Sequence, residues 1–184
     1  VSGLADELRA KNIKVFGPGK EAAQLEGSKA FMKNLCSKYH IPTAAYGIFK
    51  DMSEVNAFLE KNPGPLVVKA YGIAAGKGVI ICKTAEEARN AAAEMLSGSS
   101  FGASGKTVIL EEFLEGEELS YFALTDGKTI LPLSSAQDHK RAYDGDKGPN
   151  TGGMGAYSPA RLMTDQLETQ ILRTIIEPTV KGLQ

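Results

Sequence analysis

Several things are missing from this 184-residue sequence, and each absence narrows its function. No apolar run approaches the length of a membrane span and no signal peptide is visible, so a soluble, cytoplasmic protein is expected rather than a membrane or secreted one. Only two cysteines occur, Cys36 and Cys82, without metal-ligand spacing; they are expected to be reduced thiols that serve packing. The formal net charge is −1, which argues against a nucleic-acid-binding surface as the main function. No carboxylate–histidine set has metal spacing, no Ser/His/Asp set suggests acyl-enzyme chemistry, and no internal repeat is present. The one conspicuous glycine loop does not match the Walker pattern G-x-x-x-x-G-K-[ST]. Nor is it a G-x-G-x-x-G entering a helix, because a strand-like run follows it.

The chain does have an ordinary globular balance, 42% apolar and 23% charged, and enough length to bury a core in one or two domains. It begins at Val1 inside a helical pattern and ends in an amphipathic helix, so a fragment of a longer polypeptide is expected. A helix over residues 2–11 and a strand Ile13–Phe16 read as the end of a preceding α/β domain. A helix from Lys20 to Tyr39 follows, then a strand Ala45–Phe49 and a helix capped by Ser53 that runs through Lys61. Pro65–Val68 and Val79–Cys82 are strands on either side of the glycine loop. Thr84 and Glu87 form a capping box for a helix to Leu96, and Thr107–Glu112 is a strand. Glu118–Thr125 and Lys128–Leu133 are expected to pair around a two-residue Asp126-Gly127 turn. Ser134 to Ser158 lacks periodicity and reads as a long loop, either functional or disordered. Thr164 opens a last helix that Pro178 is expected to kink. Overall this predicts an α+β chain, with strand–strand–helix–strand over 65–115 as a lid-sized unit.

Lys69 ends an apolar strand, where a charge is costly without a partner. The run Gly72-Ile73-Ala74-Ala75-Gly76-Lys77-Gly78 that follows can bring backbone N–H groups close to an anion, with Lys69 and Lys77 as point charges suited to phosphate. The competing reading is a plain glycine turn between two strands. Lys29 and Lys33 lie one helical turn apart and by themselves read as a solvated face. Glu111-Glu112-Phe113-Leu114 leaves an apolar strand through two acids. Its backbone groups suit the edge of a purine ring, and a carboxylate such as Glu118 suits ribose hydroxyls, although on these residues alone a strand ending in an exposed acidic turn is the favoured reading. Gln137 to Arg141 places an acid, an imidazole and two cations in succession, and Gly148 to Gly155 adds glycines and the Asn150 amide. Together these fit a phosphorylated sugar, with Lys140 and Arg141 for phosphate and Asp138 for a hydroxyl or amine. His139 suits a general base or a neutral hydrogen-bonding partner.

In order along the chain, Gln24 to Lys29, Val67 to Val79, Glu111 to Glu118, Gln137 to Arg141 and Gly148 to Tyr157 closely resemble the phosphoribosylamine–glycine ligase family of ATP-grasp enzymes. The resemblance implies a partial ATP-grasp fold. Its divisions would be the end of an N-terminal α/β domain (1–18), the first part of the core (19–64), the lid (65–115) and the second part of the core (116–184). It implies ATP-dependent joining of glycine to 5-phosphoribosylamine in purine biosynthesis, through a glycyl phosphate, with release of ADP and phosphate. By matching position, Lys29 and Lys69 would contact phosphate and the loop Gly72, Ala74, Ala75, Gly76, Lys77 and Gly78 would cover the triphosphate. Glu111, Glu112, Phe113 and Leu114 would read adenine, with Glu118 on the ribose. Asp138, Lys140, Arg141, Asn150, Gly152 and Gly153 would hold phosphoribosylamine. The family implies Mg²⁺, with ligands expected outside this chain, so the chain alone is expected to be inactive as a ligase. The family also allows fusion to further purine-pathway domains. Two alternatives stay open: another ATP-grasp carboxylate–amine ligase, and a non-catalytic nucleotide-binding module.

Overall fold

The structure is a computed structural model that describes residues 2–70, 78–98, 107–145 and 147–184, apart from the side chain of Asn150. Two compact units emerge: Val1–Lys38 with Thr43–Leu114, and Tyr39–Pro42 with Glu115–Gln184.

The first unit is built on a four-stranded antiparallel sheet in the order β1-β4-β2-β3, formed by β1 (Tyr46–Phe49), β2 (Leu66–Ala70), β3 (Val79–Cys82) and β4 (Val108–Glu112). Period-two alternation sends Leu66, Val68 and Ala70 of β2, with Val108 and Leu110 of β4, to one face. Two helices, α4 (Met52–Lys61) and α5 (Ala85–Leu96), cover that face with Val55, Leu59, Ala88, Ala92 and Met95. The Val, Leu and Met side chains among these stabilise by about 1.5–3 kcal/mol each when fully buried, and the alanines by less, so this layer holds the unit together. The elements on both sides of Pro65 therefore share one sheet and one core. Gly47 is required in β1, because a Cβ there would lie 2.2 Å from the Phe49 ring, which packs on Phe58.

Helix starts follow local chemistry. Thr84 caps α5 as expected, its hydroxyl accepting from the Glu87 N–H, while the Glu87 carboxylate reaches one residue further back than a capping box requires, to the Lys83 N–H. For α4 the cap is Asp51 rather than Ser53: its carboxylate accepts from the N–H groups of Ser53 and Glu54 at 2.9 and 3.0 Å. An extended backbone at Asp51 places its acceptor over the first turn, which Ser53, already inside the helix, cannot do. The helix expected over Lys20–Tyr39 is broken into α2 (Gln24–Gly27) and α3 (Lys29–Lys38). Ser28 between them is extended, and its hydroxyl caps α3 at the Phe31 N–H. Before these lies α1 (Leu4–Ala10). The strand expected at Ile13–Phe16 is absent: the Arg9 guanidinium donates to the Val15 and Gly17 carbonyls instead, and Phe16 is exposed.

The second unit contains two antiparallel pairs, β5 (Ala123–Thr125) with β6 (Ile130–Pro132), and β7 (Gln137–Tyr143) with β8 (Lys147–Tyr157). The first hairpin differs from the expected two-residue turn. Thr125 pairs with Ile130, so residues 126–129 form the connection, organised by the Asp126 carboxylate accepting from Lys128 and Thr129. The long loop expected over 134–158 is a hairpin. It escaped the periodicity reading because neither face of β7 is a core face and β8 is interrupted by glycines. A helical segment closes the unit: α6 (Asp165–Ile171) is capped by Thr164 as expected, and α7 (Glu177–Gly182) follows. Pro178 offers no N–H to the preceding turn, and a π-helical segment over Leu172–Ile176 precedes it; the ring then sits in the first turn of α7. No helix of the described residues is long and apolar enough to cross a membrane.

Candidate functional site

The sheet of the first unit has a second face, opposite the helices. The pairing register places Tyr46, Glu111, Val67 and Ile81 across it in one row, with Ile109, Lys69 and Val79 in the next. Val79 and Ile81 are 47% and 43% exposed, so part of this apolar face is open, while Ile109 and Glu111 are buried. Glu111 holds two lysines: its Oε2 accepts from Lys69 Nζ at 2.5 Å, and Oε1 lies 3.3 Å from Lys33 Nζ. Lys33 also donates to Thr43 Oγ1 at 2.7 Å and to the Ala44 carbonyl at 3.3 Å, and its Nζ lies 5.0 Å from the centre of the Tyr46 ring. The Lys33 and Glu111 side chains are 3% and 6% exposed and that of Lys69 25%. Burial raises the Cys36 thiol, against the opposing influence of the Lys33 charge, and burial likewise raises the Tyr46 phenol. Both free cysteines are buried, as their packing role requires.

The placement of Lys33 corrects the sequence reading. It is sealed in the apolar stripe of α3 with Ala30, Leu35 and Cys36, not on a solvated face. The signal was available, because Lys33 stands three residues from both Ala30 and Cys36, and a lysine in such a stripe demands a buried anion. Lys29 opens α3 and is half-buried. Lys69 is where it was expected, and Gly78 is buried, its carbonyl accepting from the Ala70 N–H. Gly72, Ala74, Ala75, Gly76 and Lys77 lie outside the described residues.

The connector after β4 is partly used by the fold. The Glu112 N–H donates to the Ala45 carbonyl, the Phe113 N–H to the Pro65 carbonyl, and the Glu112 carboxylate accepts from the Ala45 N–H. Leu114 is exposed. A shallow depression of about 390 Å³ beside the connector is lined by Phe58, Pro65, Glu112 and Phe113 among others, but not by Lys69.

In the second unit three of the predicted residues converge. Lys140 Nζ lies 2.6 Å from Glu118 Oε1 and 3.5 Å from Asp138 Oδ2. The hydrogen bond to Glu118 is the main reason its pKa is raised, and the Asp138 charge adds to it. The register explains the local shape. His139 pairs with Gly155 and Arg141 with Asn150, so residues 151–154 of β8 stand against Lys140 alone and bulge. Gly148 has φ +84° and a Cβ there would lie 2.4 Å from the Tyr143 ring, so the second irregularity needs glycine; its carbonyl accepts from the Arg141 guanidinium at 2.8 Å. Gly152 differs: a Cβ would meet nothing within 4 Å. No contact among the described residues explains that glycine. His139 stacks on Tyr157 with ring centres 5.8 Å apart, and the Tyr157 hydroxyl donates to Gln137.

Residues 27–184 match the family described as phosphoribosylglycinamide synthetase, ATP-grasp (A) domain. The chain belongs to this family. A relative from Mesorhizobium japonicum, named phosphoribosylamine–glycine ligase, is 57% identical over 183 residues, covering 100% of this chain and 43% of its own length. The chain thus spans less than half of that relative. A crystal structure of phosphoribosylamine–glycine ligase from Thermotoga maritima superimposes with a TM-score of 0.82 at 36% identity, over 97% of this chain and 45% of that one. The structure of D-alanyl-alanine synthetase A from Vibrio cholerae, at 18% identity and a TM-score of 0.73 over 98% of this chain and 54% of that one, shares the fold alone. The expected ATP-grasp fold is therefore the observed one.

Proposed function

We propose that this chain forms the nucleotide- and sugar-binding part of an ATP-dependent ligase that joins glycine to 5-phosphoribosylamine, giving glycinamide ribonucleotide, ADP and phosphate through a glycyl phosphate. The observation that carries the nucleotide half is the setting of Lys69. An ammonium has three N–H donors; among the described residues Glu111 takes one of them, and the side chain is a quarter exposed at the end of β2, where the glycine run begins. That leaves donors and charge for a phosphate. Lys29 is the second phosphate contact in this reading, and Gly72 to Gly78 the cover over the triphosphate. With the N–H groups of Glu112 and Phe113 used within the sheet, adenine recognition falls to the connector's carbonyls and to Leu114.

Glu118 as ribose ligand and Lys140 as phosphate contact require their mutual ion pair to open when substrate arrives. Arg141 keeps guanidinium donors beyond the one given to Gly148, and the unexplained glycine at position 152 supports a sugar phosphate lying on the hairpin beside Asp138, Asn150 and Gly153. The work of these residues is positioning and charge stabilisation of a transferred phosphoryl group. The names of the relatives support glycine and phosphoribosylamine as the substrates. Mg²⁺ is implied by the family. Among the described residues no group of three or more His, Cys, Asp or Glu side chains is arranged to hold a metal, so no step is assigned to it.

Calorimetry of ATP binding, with and without Mg²⁺, tests the nucleotide site. Lys69→Ala is expected to weaken binding about tenfold or more, the size of a lost charge-assisted hydrogen bond. A folded chain whose ATP affinity ignores that substitution overturns the assignment. ADP release that depends on both glycine and phosphoribosylamine, in a protein carrying this chain, tests the reaction.

A further inference from the structure

We infer that Lys33, which touches no ligand in the reading above, is a positioning residue that keeps the charge of Lys69 available for phosphate. The inference rests on the proposed role of Lys69. Glu111 lies between two ammonium groups, with Oε2 at 2.5 Å from Lys69 and Oε1 at 3.3 Å from Lys33. Lys33 has spent its donors inward, on Thr43, Ala44 and Glu111, and its side chain is 3% exposed. It cannot itself reach a phosphate. The Lys69 side chain is 25% exposed and has one described partner.

The arithmetic of charge gives Lys33 its role. A buried Glu111 paired with Lys69 alone forms a neutral dipole with little attraction for a polyphosphate. With Lys33 on the other carboxylate oxygen the cluster carries one net positive charge, and its exposed end is the Lys69 ammonium. A tie between α3 and β4 alone would need only Lys33 and Glu111, or an apolar pair of similar volume, which buried ion pairs often match in stability. Such a tie does not account for the third member sharing the carboxylate and opening to solvent.

Two readouts test this. In ATP titrations by calorimetry, Lys33→Met keeps the aliphatic stem and is expected to weaken binding about tenfold. Adding Glu111→Gln to Lys33→Met removes the anion that neutralises Lys69, and is expected to return affinity to within about threefold of the parent, a strong coupling between neighbouring sites. A purely structural tie predicts the reverse, a double variant no better than Lys33→Met, and that result overturns the inference. The second readout needs no nucleotide: the rate at which an acylating reagent labels Lys69, followed by peptide mass spectrometry. Lys33→Met is expected to slow labelling several-fold, because the cation that offsets Glu111 beside Lys69 is gone, and Glu111→Gln to speed it. Faster labelling in both variants would mean general loosening and would refute the inference. If the parent chain binds no ATP, the nucleotide-site reading fails by itself, while the labelling rates still decide whether Lys33 acts on Lys69.

Discussion

Glu111 and Glu118 are each paired with a lysine at hydrogen-bond distance, 2.5 Å to Lys69 and 2.6 Å to Lys140, yet the first side chain is 6% exposed and the second 61%. Around Glu111 the sheet is regular, central strand β4 is paired on both sides, and a second lysine closes the cluster from within. Around Glu118 the supporting hairpin is bulged and glycine-rich, and each partner is open to water. Burial makes the first pair part of the fold, since neither charge can be left alone there, whereas solvent makes the second pair cheap to open. A lysine that must meet phosphate from a fixed direction suits the first setting. Residues that must exchange one another for a substrate suit the second.

The sharpest way to break this comparison is Glu111→Ala. It leaves Lys33 buried without its anion and is expected to cost about 3–5 kcal/mol in a denaturant titration; a loss under about 1 kcal/mol would mean that the cluster is as dispensable as a surface pair. Leu110→Ala, on the core face of the same strand, is expected to cost about 2–5 kcal/mol through lost burial and the cavity left behind. In the hairpin, Gly148→Ala combines a left-handed backbone with a clash against Tyr143, and a destabilisation of about 1–3 kcal/mol is expected, read as faster hydrogen exchange in β7 and β8. Lys140→Met is expected to change global stability by no more than about 1 kcal/mol, because Lys140 and its nearer partner Glu118 are well exposed. The pH dependence of this last pair has a defined sign. The Lys140 pKa is raised above its ordinary 10.5, so its small contribution is present below that value and is lost as pH rises through the higher folded one. A hairpin that loosens instead between neutral and mildly acid pH, seen by NMR, would assign the effect to another group.

How much could be read in advance depends on the kind of signal. The cores of β2 and β4 were visible because alternation and apolar runs mark a sheet with one face on helices, and Thr84 and Thr164 announced their helices through capping chemistry. Asp51 and Ser28 do not stand out as caps in the sequence, because several residue types cap equally well and only the backbone decides which one stands outside the helix. The hairpin over 137–157 has the sequence of a loop because strand periodicity reports a buried face, and this hairpin lacks one. Of the candidate site, Lys69 and the acidic connector were legible as charges at the end of apolar strands. That Glu111 would turn inward to Lys33, and that Lys140 would meet Glu118, was not legible, since these pairings join residues far apart in sequence.

By itself the sequence determined which segments could pair and pack, and which residues carried a charge that needed a partner. It also determined the family, through the motifs Gln137 to Arg141 and Gly148 to Tyr157. Only the tertiary structure decided who the partners are. Whether a lysine serves the interior, like Lys33, or faces outward, like Lys69, depends on how far its ammonium is removed from water, and helix α3 and strand β4 settle that only once they stand side by side.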